Sequence, residues 1–171
     1  PNVKDTLSNL QELGLKLAML TGDHFASAKK VADELHLDEF YADLKPEDKL
    51  RLVEKFSTES PLAFVGDGVN DAPALARATV GIGMGKGGSR AAVDAADVVL
   101  LQDNIDRLDW LFKKSKDTRS VVTQNLVIAT LAIFIAAIPA LGGWVPLWLA
   151  VVMHEGGTVI VGLNGLRLTR K

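Results

Sequence analysis

Two aspartates and an asparagine lie close together in a glycine-rich loop of this chain. Residues 66–76 read GDGVNDAPALA, and the apolar residues 62–65 come directly before them. We expect those apolar residues to form a buried strand, so that Asp67, Asn70 and Asp71 follow its carboxyl end. Ligands of open α/β sheets bind at that edge, and carboxylates there suit Mg²⁺ that accompanies a phosphate. The loop therefore predicts phosphate chemistry.

Two shorter loops offer the remaining parts of a phosphoryl-transfer site. Thr21-Gly22-Asp23 supplies a hydroxyl and backbone donors, and the sequence KPEDK at 45–49 supplies the cation of Lys49. Phosphoryl transfer needs such donors together with carboxylates for the metal. Each loop is weak alone, since 21–23 could be a simple turn and Lys49 a solvated helix lysine. Asn70 and Asp71 could likewise cap a helix. The order and spacing of all three loops strengthen the prediction.

The elements that position these loops alternate between strands and helices. Strands are predicted at 15–20, 40–42, 62–65, 79–82 and 97–101, and helices at 3–13, at 25–35 and from Pro46 onward. The second helix should face inward with Phe25, Ala28, Val31, Ala32 and Leu35. This alternation indicates a three-layer α/β domain with a parallel sheet and right-handed crossovers. A helix around 105–120 should end that domain.

The composition changes sharply after residue 120. From Ser120 to Met153 there is no Asp, Glu, Lys, Arg or His, and a membrane-spanning helix needs about 20 mostly apolar residues. We predict spans at 121–141 and 144–163, separated by the turn signal of 139–143. A buried helical hairpin in a soluble protein is the alternative, which the length of the run disfavours.

The residues that flank the two spans predict their orientation in the bilayer. Trp144 and Trp148 lie near the break between the spans, as interfacial aromatic residues often do. Basic residues precede the first span and follow the second, which by the positive-inside rule makes both ends cytoplasmic. These residues are Lys113, Lys114, Lys116, Arg119, Arg167, Arg170 and Lys171.

The overall composition excludes several classes of function. The net charge of −2 provides no basic face for nucleic acid. The absence of cysteine excludes a disulfide framework and a thiolate site. No signal peptide is recognisable, and residue 1 is Pro1 rather than methionine. We therefore expect a fragment or a processed product of a longer protein.

Together, the motifs resemble the C-terminal third of a P-type ATPase over nearly the whole chain. The matching segments are MLTGD at 19–23, KPEDK at 45–49, 66–76, VGIGMG at 80–85 and AADVVL at 95–100. The resemblance implies a haloacid-dehalogenase-like (Rossmann-like) parallel-sheet domain, incomplete at its start. Residues 1–119 would be the C-terminal part of the phosphorylation domain. Two transmembrane helices within 120–166 and a basic cytoplasmic tail at 167–171 would follow.

The resemblance also implies a role for each loop residue. Thr21 would contact the phosphoryl oxygens, Gly22 and Asp23 would shape that loop near the nucleotide, and Lys49 would pair with the phosphate. Asp67 would bind Mg²⁺, and Asn70 and Asp71 would complete the phosphate pocket, so that Asp67 and Asp71 serve the cofactor. ATP would bind mostly outside this chain.

The family's phosphorylated aspartate, in its DKTGT motif, is absent from this sequence. A covalent phosphoenzyme needs that nucleophile, which we expect to lie upstream together with the nucleotide-binding insertion and further membrane helices. This chain alone should therefore be inactive, and its partner would be the missing N-terminal part of the same pump. The family also places the strand carrying this aspartate at the centre of the sheet.

The second predicted span contains ionisable residues, which are costly at membrane depth and usually functional. His154 and Thr158 are four residues apart and share a face, which Glu155 borders. An imidazole, a carboxylate and a hydroxyl suit Co²⁺, Ni²⁺, Fe²⁺ or Zn²⁺. The sequence resembles the HEGGT signature of cobalt-type pumps, and two spans after the domain resemble the transition-metal (P1B) subfamily. An interfacial His–Glu pair at the bilayer edge is the alternative.

The resulting prediction is the C-terminal part of a plasma-membrane pump that exports a divalent metal such as Co, Zn, Ni, Fe or Cd. The lipid bilayer and the metal ion would be its other partners. A membrane-anchored haloacid-dehalogenase-like phosphatase and a truncated, non-catalytic membrane metal-binding module are the alternatives. Gly83, Gly85 and Gly88 also match the dinucleotide fingerprint GxGxxG, but a single match of this kind is weak.

Overall fold

A computed structural model describes residues 3–67, 70–86, 90–101 and 104–169. The chain divides into two compact units, Pro1–Trp110 and Leu111–Lys171. The first unit consists of short parallel strands and helices, and the second consists of long apolar helices.

Strands and helices alternate throughout the first unit. Their order is α1 (Val3–Glu12), β1 (Ala18–Leu20), α2 (Phe25–Leu35), β2 (Glu39–Tyr41), α3 (Pro46–Glu59), β3 (Ala63–Gly66), α4 (Ala72–Arg77), β4 (Val80–Met84), α5 (Arg90–Ala95) and β5 (Val98–Leu100). A short 3₁₀ turn, Ile105–Arg107, follows. Every strand pair is parallel. The predicted α/β class with a parallel sheet is therefore confirmed.

The strands form two sheets, with the order β1-β2 in one and β3-β4-β5 in the other. In the first, Met19 pairs with Phe40. In the second, Val65 pairs with Ile82. Strands β1 and β3 are therefore edge strands, each with one side unpaired within the described part of the chain. The chain interrupts its sheet between the strands that carry the Thr21 and Asp67 loops, in keeping with the incomplete sheet that we predicted.

The core of the first unit lies between β3 and the helices α3, α4 and α5. Its buried side chains are Val53, Phe64, Ala74, Leu75 and Ala92. A Cβ atom at Gly81 would lie 2.5 Å from the carbonyl oxygen of Leu75. Only glycine therefore lets α4 pack this closely on β4, which fixes the loop that leads into α4.

The predicted inward face of α2 is wrong at two positions. Ala28 and Ala32 are buried, but the side chains of Phe25 and Val31 are 59% and 42% exposed. A sheet of two strands offers little surface to cover, so only the middle of the helix is enclosed. The Phe25 ring instead rests against the ring of Phe40, with centroids 5.3 Å apart.

The second unit is dominated by α6 (Leu108–Leu141) and α7 (Leu147–Gly165), and a 3₁₀ turn, Leu166–Thr169, follows. Helix α6 begins in the first unit and includes both the predicted connecting helix and the first predicted span. Pro139 lies inside α6 near its end, and α7 begins three residues after Trp144, the predicted start of the second span. Both helices are long and apolar enough to cross a membrane, judged by length and composition.

Small residues let α6 and α7 approach closely. A Cβ atom at Gly157 would lie 2.5 Å from the Cβ of Ala132, a contact typical of small-residue packing in membranes. The side chains near the end of the pair are polar: Asn164 Nδ2 donates to Asn125 Oδ1 at 2.9 Å, and Arg167 Nη1 donates to Gln124 Oε1 at 3.2 Å.

Candidate functional site

A partly buried ion pair joins two of the predicted site residues. The ammonium of Lys49 donates to Asp71 Oδ1 at 3.0 Å, and the two side chains are only 19% and 11% exposed. Lys49 lies in the first turns of α3, and Asp71 comes directly before α4. The pair therefore connects two loops that are 22 residues apart in sequence. An ammonium carries three donors, so two remain available for phosphoryl oxygens.

Gly66, the last residue of β3, makes room for this pair. A Cβ atom at Gly66 would lie 2.9 Å from the Cβ and 3.1 Å from Oδ2 of Asp71. Real Cβ atoms tolerate such distances poorly, because the packed neighbours have little freedom to move. Gly66 thus sets how closely the Asp71 carboxylate approaches the end of the strand.

Asp71 occupies the N-cap position of α4, as the helix-cap alternative required. Its backbone carbonyl accepts from Leu75 N at 2.8 Å, but its side chain makes no capping hydrogen bond. The carboxylate turns to Lys49 instead. The backbone of Asp71 therefore starts the helix, while its side chain is directed into the site.

The loop after β1 is closed by its own side chains. Thr21 Oγ1 accepts from Asp23 N at 3.1 Å and donates to Asp23 Oδ2 at 3.0 Å. A Cβ atom at Gly22 would lie 3.2 Å from the carbonyl oxygen of Leu44. To donate to a phosphoryl oxygen, the Thr21 hydroxyl has to turn its proton away from Asp23. The three residues of this motif thus form one small hydrogen-bonded turn.

The segment after β2 holds the same loop from the other side. Leu44 N donates to Thr21 O at 3.1 Å, and Asp43 N donates to Asp23 O at 2.8 Å. A few residues later, Lys45 N donates to Asp48 Oδ2 at 3.1 Å in the first turn of α3. One continuous segment therefore connects the Thr21 loop to the helix that carries Lys49.

Asp67 and Asn70 are both exposed. Asp67 follows the last residue of β3 directly, and it makes no hydrogen bond or ion pair with another described residue. Gly68 and Val69, between the two, lie outside the described residues. The described residues contain no group of three or more His, Cys, Asp or Glu side chains that could hold a metal. Mg²⁺ commonly binds through one or two carboxylates and a substrate phosphate, so the single free carboxylate of Asp67 fits that ion.

The side chains predicted to bind a transported metal lie together on α7. His154, Glu155 and Thr158 are all exposed, while Gly157 is buried against α6. The hydroxyl of Thr158 is 3.5 Å from the carbonyl oxygen of His154, one turn earlier. The imidazole, the carboxylate and the hydroxyl are thus all exposed, while Gly157 between them makes the contact with α6.

The residues of the dinucleotide fingerprint have another use in the structure. Gly83 lies within β4 and pairs with Val99, so it is not in a phosphate-binding loop. A Cβ atom at Gly83 would lie 3.0 Å from the Cβ of Ala96, and one at Gly85 would lie 3.0 Å from Val99 Cγ1. Gly88, the third glycine, lies outside the described residues. Close packing therefore accounts for the first two glycines.

Sequence analysis missed the part that Asp43 plays. Asp43 is a non-glycine residue with positive φ, at 53°, and it contacts each of the three residues from Asp23 to Phe25. The available signal was an aspartate two residues after the short strand β2, since Asp is enriched in this left-handed conformation.

Comparison with known proteins agrees with this geometry. Residues 1–79 match the family of haloacid dehalogenase-like hydrolases. The chain is 46% identical over 170 residues to the probable cadmium/zinc-transporting ATPase HMA1, chloroplastic, of Arabidopsis thaliana. This match covers 98% of this chain and 21% of that protein. The chain thus spans about a fifth of the length of that curated relative.

Two solved structures resemble this chain to different degrees. A crystal structure of a zinc-transporting PIB-type ATPase in the E2.Pi state is 40% identical, with a TM-score of 0.93 over 99% of this chain and 28% of that one. The 3-deoxy-D-manno-octulosonate 8-phosphate phosphatase of Moraxella catarrhalis is 20% identical, with a TM-score of 0.59 over 73% of this chain and 75% of that one. The second likeness concerns the fold alone.

Proposed function

We propose that this chain is a portion of a metal-transporting P-type ATPase and supplies the phosphate site and part of the cation path of an ATP-driven pump; its likeness to HMA1 and to the zinc-transporting ATPase supports this proposal. The observation that carries the proposal is the partly buried Lys49–Asp71 pair near the end of β3, in a chain that also has two apolar helices. The proposed domain limits are those predicted: a phosphorylation-domain part at 1–119, two spans within 120–166 and a basic tail at 167–171.

In the proposed reaction, the γ-phosphoryl group of ATP is transferred to an aspartate of the complete protein and is later lost to water. The two free donors of Lys49 and the Thr21 hydroxyl would bind the phosphoryl oxygens, where charge develops during transfer. Asp71 would hold the Lys49 ammonium in position, and Asn70 would donate its amide to the same group. Gly22 and Asp23 would shape the Thr21 loop.

Asp67 would hold Mg²⁺, which would neutralise charge on the phosphate when bound. The interrupted sheet supports the placement of the acceptor aspartate. The acceptor would lie on a strand inserted between β1 and β3, because both strands have an unpaired edge and both loops begin at their carboxyl ends. ATP itself would bind mainly to residues outside this chain.

The transported ion is proposed to bind at His154, Glu155 and Thr158. Their exposure on α7 leaves the donors open to ligands from other helices. The predicted cobalt preference is not confirmed, since HMA1 is described as cadmium/zinc-transporting and the solved ATPase as zinc-transporting. An imidazole and a carboxylate suit borderline divalent ions in general, so we propose a divalent transition metal or Cd²⁺.

The location proposed for the complete protein is the plasma membrane, with the α/β unit and the C-terminus in the cytoplasm. Basic residues at both ends of the hairpin support this orientation, and export is the expected direction. The two apolar helices support a location in a membrane.

One experiment on the complete protein tests both sites. Asp67→Asn should abolish the Mg²⁺-dependent phosphoenzyme formed from radiolabelled ATP. His154→Ala should remove stimulation by Zn²⁺, Cd²⁺ or Co²⁺ while phosphorylation from inorganic phosphate remains. Normal phosphoenzyme in Asp67→Asn would contradict the Mg²⁺ assignment, and unchanged stimulation in His154→Ala would place the cation elsewhere. Metal-independent hydrolysis of phosphoesters by the wild type would instead support a membrane-anchored phosphatase.

A further inference from the structure

Asp43 has a backbone conformation that demands an explanation. It follows β2, its φ is 53°, and His36 is the only other non-glycine residue with positive φ among the described residues. His36 ends α2, where the left-handed conformation is a common helix terminator. Asp43 ends no helix. A non-glycine residue held in this region is characteristic of sites whose surroundings determine the conformation.

The contacts of Asp43 show what the conformation achieves. Its backbone N–H donates to Asp23 O at 2.8 Å. Its Oδ2 accepts from Phe25 N at 3.1 Å, and its Oδ1 lies 2.8 Å from His24 Nδ1. One residue thus bonds to three consecutive residues, beginning with the last residue of the Thr21-Gly22-Asp23 turn.

These contacts contribute little to stability as an ion pair. The side chains of His24 and Asp43 are 94% and 54% exposed, and exposed pairs have small net energies. The bond from Phe25 N does more, because it satisfies a backbone donor in the first turn of α2. The bond from Phe25 N to Asp43 fixes the position of the first residue of α2. It therefore also limits where the preceding Thr21-Gly22-Asp23 turn can end.

We infer that Asp43 is a positioning residue of the phosphate site: it holds the Thr21-Gly22-Asp23 turn so that the Thr21 hydroxyl meets a phosphoryl oxygen. Leu44 extends the same support, since its N–H donates to Thr21 O at 3.1 Å. The inference rests on the proposed function, because Thr21 has a reacting group to meet only if the site binds phosphate. Asp43 itself does not touch the phosphate.

Orthovanadate, a phosphate analogue, provides the test on the complete protein. We expect Asp43→Ala to raise the vanadate concentration for half-inhibition of metal-stimulated ATPase activity by about tenfold or more. This corresponds to the loss of roughly one hydrogen bond to a charged group. The metal concentration for half-maximal stimulation should stay unchanged, because the proposed cation donors lie on α7.

Two conservative variants separate the backbone from the carboxylate. Asp43→Asn should restore most of the vanadate affinity, since its amide oxygen can accept from Phe25 N and asparagine tolerates positive φ. Asp43→Gly relieves the backbone but removes the acceptor, and it should behave like Asp43→Ala. If vanadate inhibits the Asp43→Gly variant as strongly as it inhibits the wild type, the carboxylate has no positioning role.

Asp38 provides a matched control at the other end of the same strand pair. The Asp38 carboxylate accepts a hydrogen bond from Leu17 N, before β1, at 2.8 Å. The Asp43 carboxylate accepts a similar bond from Phe25 N, which lies beyond the other end of β1. Asp38→Ala should leave the vanadate inhibition unchanged. Equal effects of Asp38→Ala and Asp43→Ala, or no effect of either, would overturn the inference. A wild type without vanadate-sensitive, metal-stimulated turnover would overturn the proposed function and this inference with it.

Discussion

The Lys49–Asp71 pair should tie α3 to α4, and replacing Lys49 by methionine tests this directly. At 3.0 Å, the gross Coulomb energy is about 5–6 kcal/mol with an effective dielectric constant of about 20. Removing one partner of a fully buried pair costs about 3–5 kcal/mol, and exposed pairs contribute about 0–1 kcal/mol. Because the Lys49 and Asp71 side chains are 19% and 11% exposed, we expect a cost of about 2–3 kcal/mol.

Hydrogen exchange followed by mass spectrometry on the complete protein measures this cost locally. A loss of about 2–3 kcal/mol should speed exchange of peptides from α3 and α4 by about 30- to 150-fold. Lys55→Met is the matched control, because Lys55 lies on the same helix in an exposed pair with Glu59 at 4.0 Å. Its exchange should change by less than about fivefold.

A double-mutant cycle decides whether the two side chains act as a pair. The double variant with Lys49→Met and Asp71→Leu should lose about 1–2 kcal/mol less stability than the sum of the losses in the two single variants. Each single variant leaves one charge without its partner, whereas the double variant removes both charges. Additive costs would refute the reasoning, as would a Lys49→Met effect no larger than that of Lys55→Met. ATPase activity should be lost in both single variants and should not return in the double variant.

Two further predictions concern Gly66 and Asp38. In an ATPase assay, Gly66→Ala should lower turnover by about tenfold or more, because the new methyl carbon would lie 2.9 Å from the Cβ of Asp71 and displace it. Gly162→Ala is the control, since no atom lies within 4 Å of a Cβ at that position. Donation from Leu17 N lowers the pKa of the Asp38 carboxyl, so its contribution to stability is present above the unfolded-state value of about 4 and is lost as the pH falls through the lower folded value. Asp38→Asn should therefore flatten the decline in stability below about pH 4, as measured by acid unfolding of the complete protein; an unchanged acid limb would contradict this assignment.

The order of strands and helices in the first unit was predictable in part because glycine or proline marks where some of the helices end or begin. Gly14 has a φ of 86° just after α1, and Pro46 is the first residue of α3. The predicted strand at 15–20 was too long, however, since β1 includes only Ala18–Leu20. Strand ends depend on where a partner strand stops, and β2 is only three residues long.

The site was less predictable than the elements that carry it. Residue types suggested Lys49 and Asp71 separately, but their direct contact depends on the absence of a side chain at Gly66. Asp43 was not recognised because its part depends on contacts that only the fold creates, through both its backbone N–H and its carboxylate. Helical periodicity wrongly predicted that Phe25 is buried. That prediction assumes a sheet wide enough to cover the whole of α2, whereas the β1-β2 sheet has only two strands.

The position of the polar residues on α7 constrains how any cation site there is completed. Most of the α7 residues that are not exposed recur every three or four residues, as expected for a packed helix face. These residues are Leu149, Ala150, Met153, Gly157, Val161, Asn164 and Gly165. At 100° per residue, His154, Glu155 and Thr158 lie about 60–160° around the helix from Gly157. His154, at about 60°, therefore borders the face that contacts α6 through Gly157 and Ala132, whereas Thr158 and Glu155, at about 100° and 160°, point away from that face. An imidazole, a carboxylate and a hydroxyl on one helix rarely enclose a metal alone, because a tetrahedral or octahedral shell needs donors from several directions. Because Glu155 and Thr158 point away from α6, a metal bound by these two side chains is expected to take further ligands from another helix.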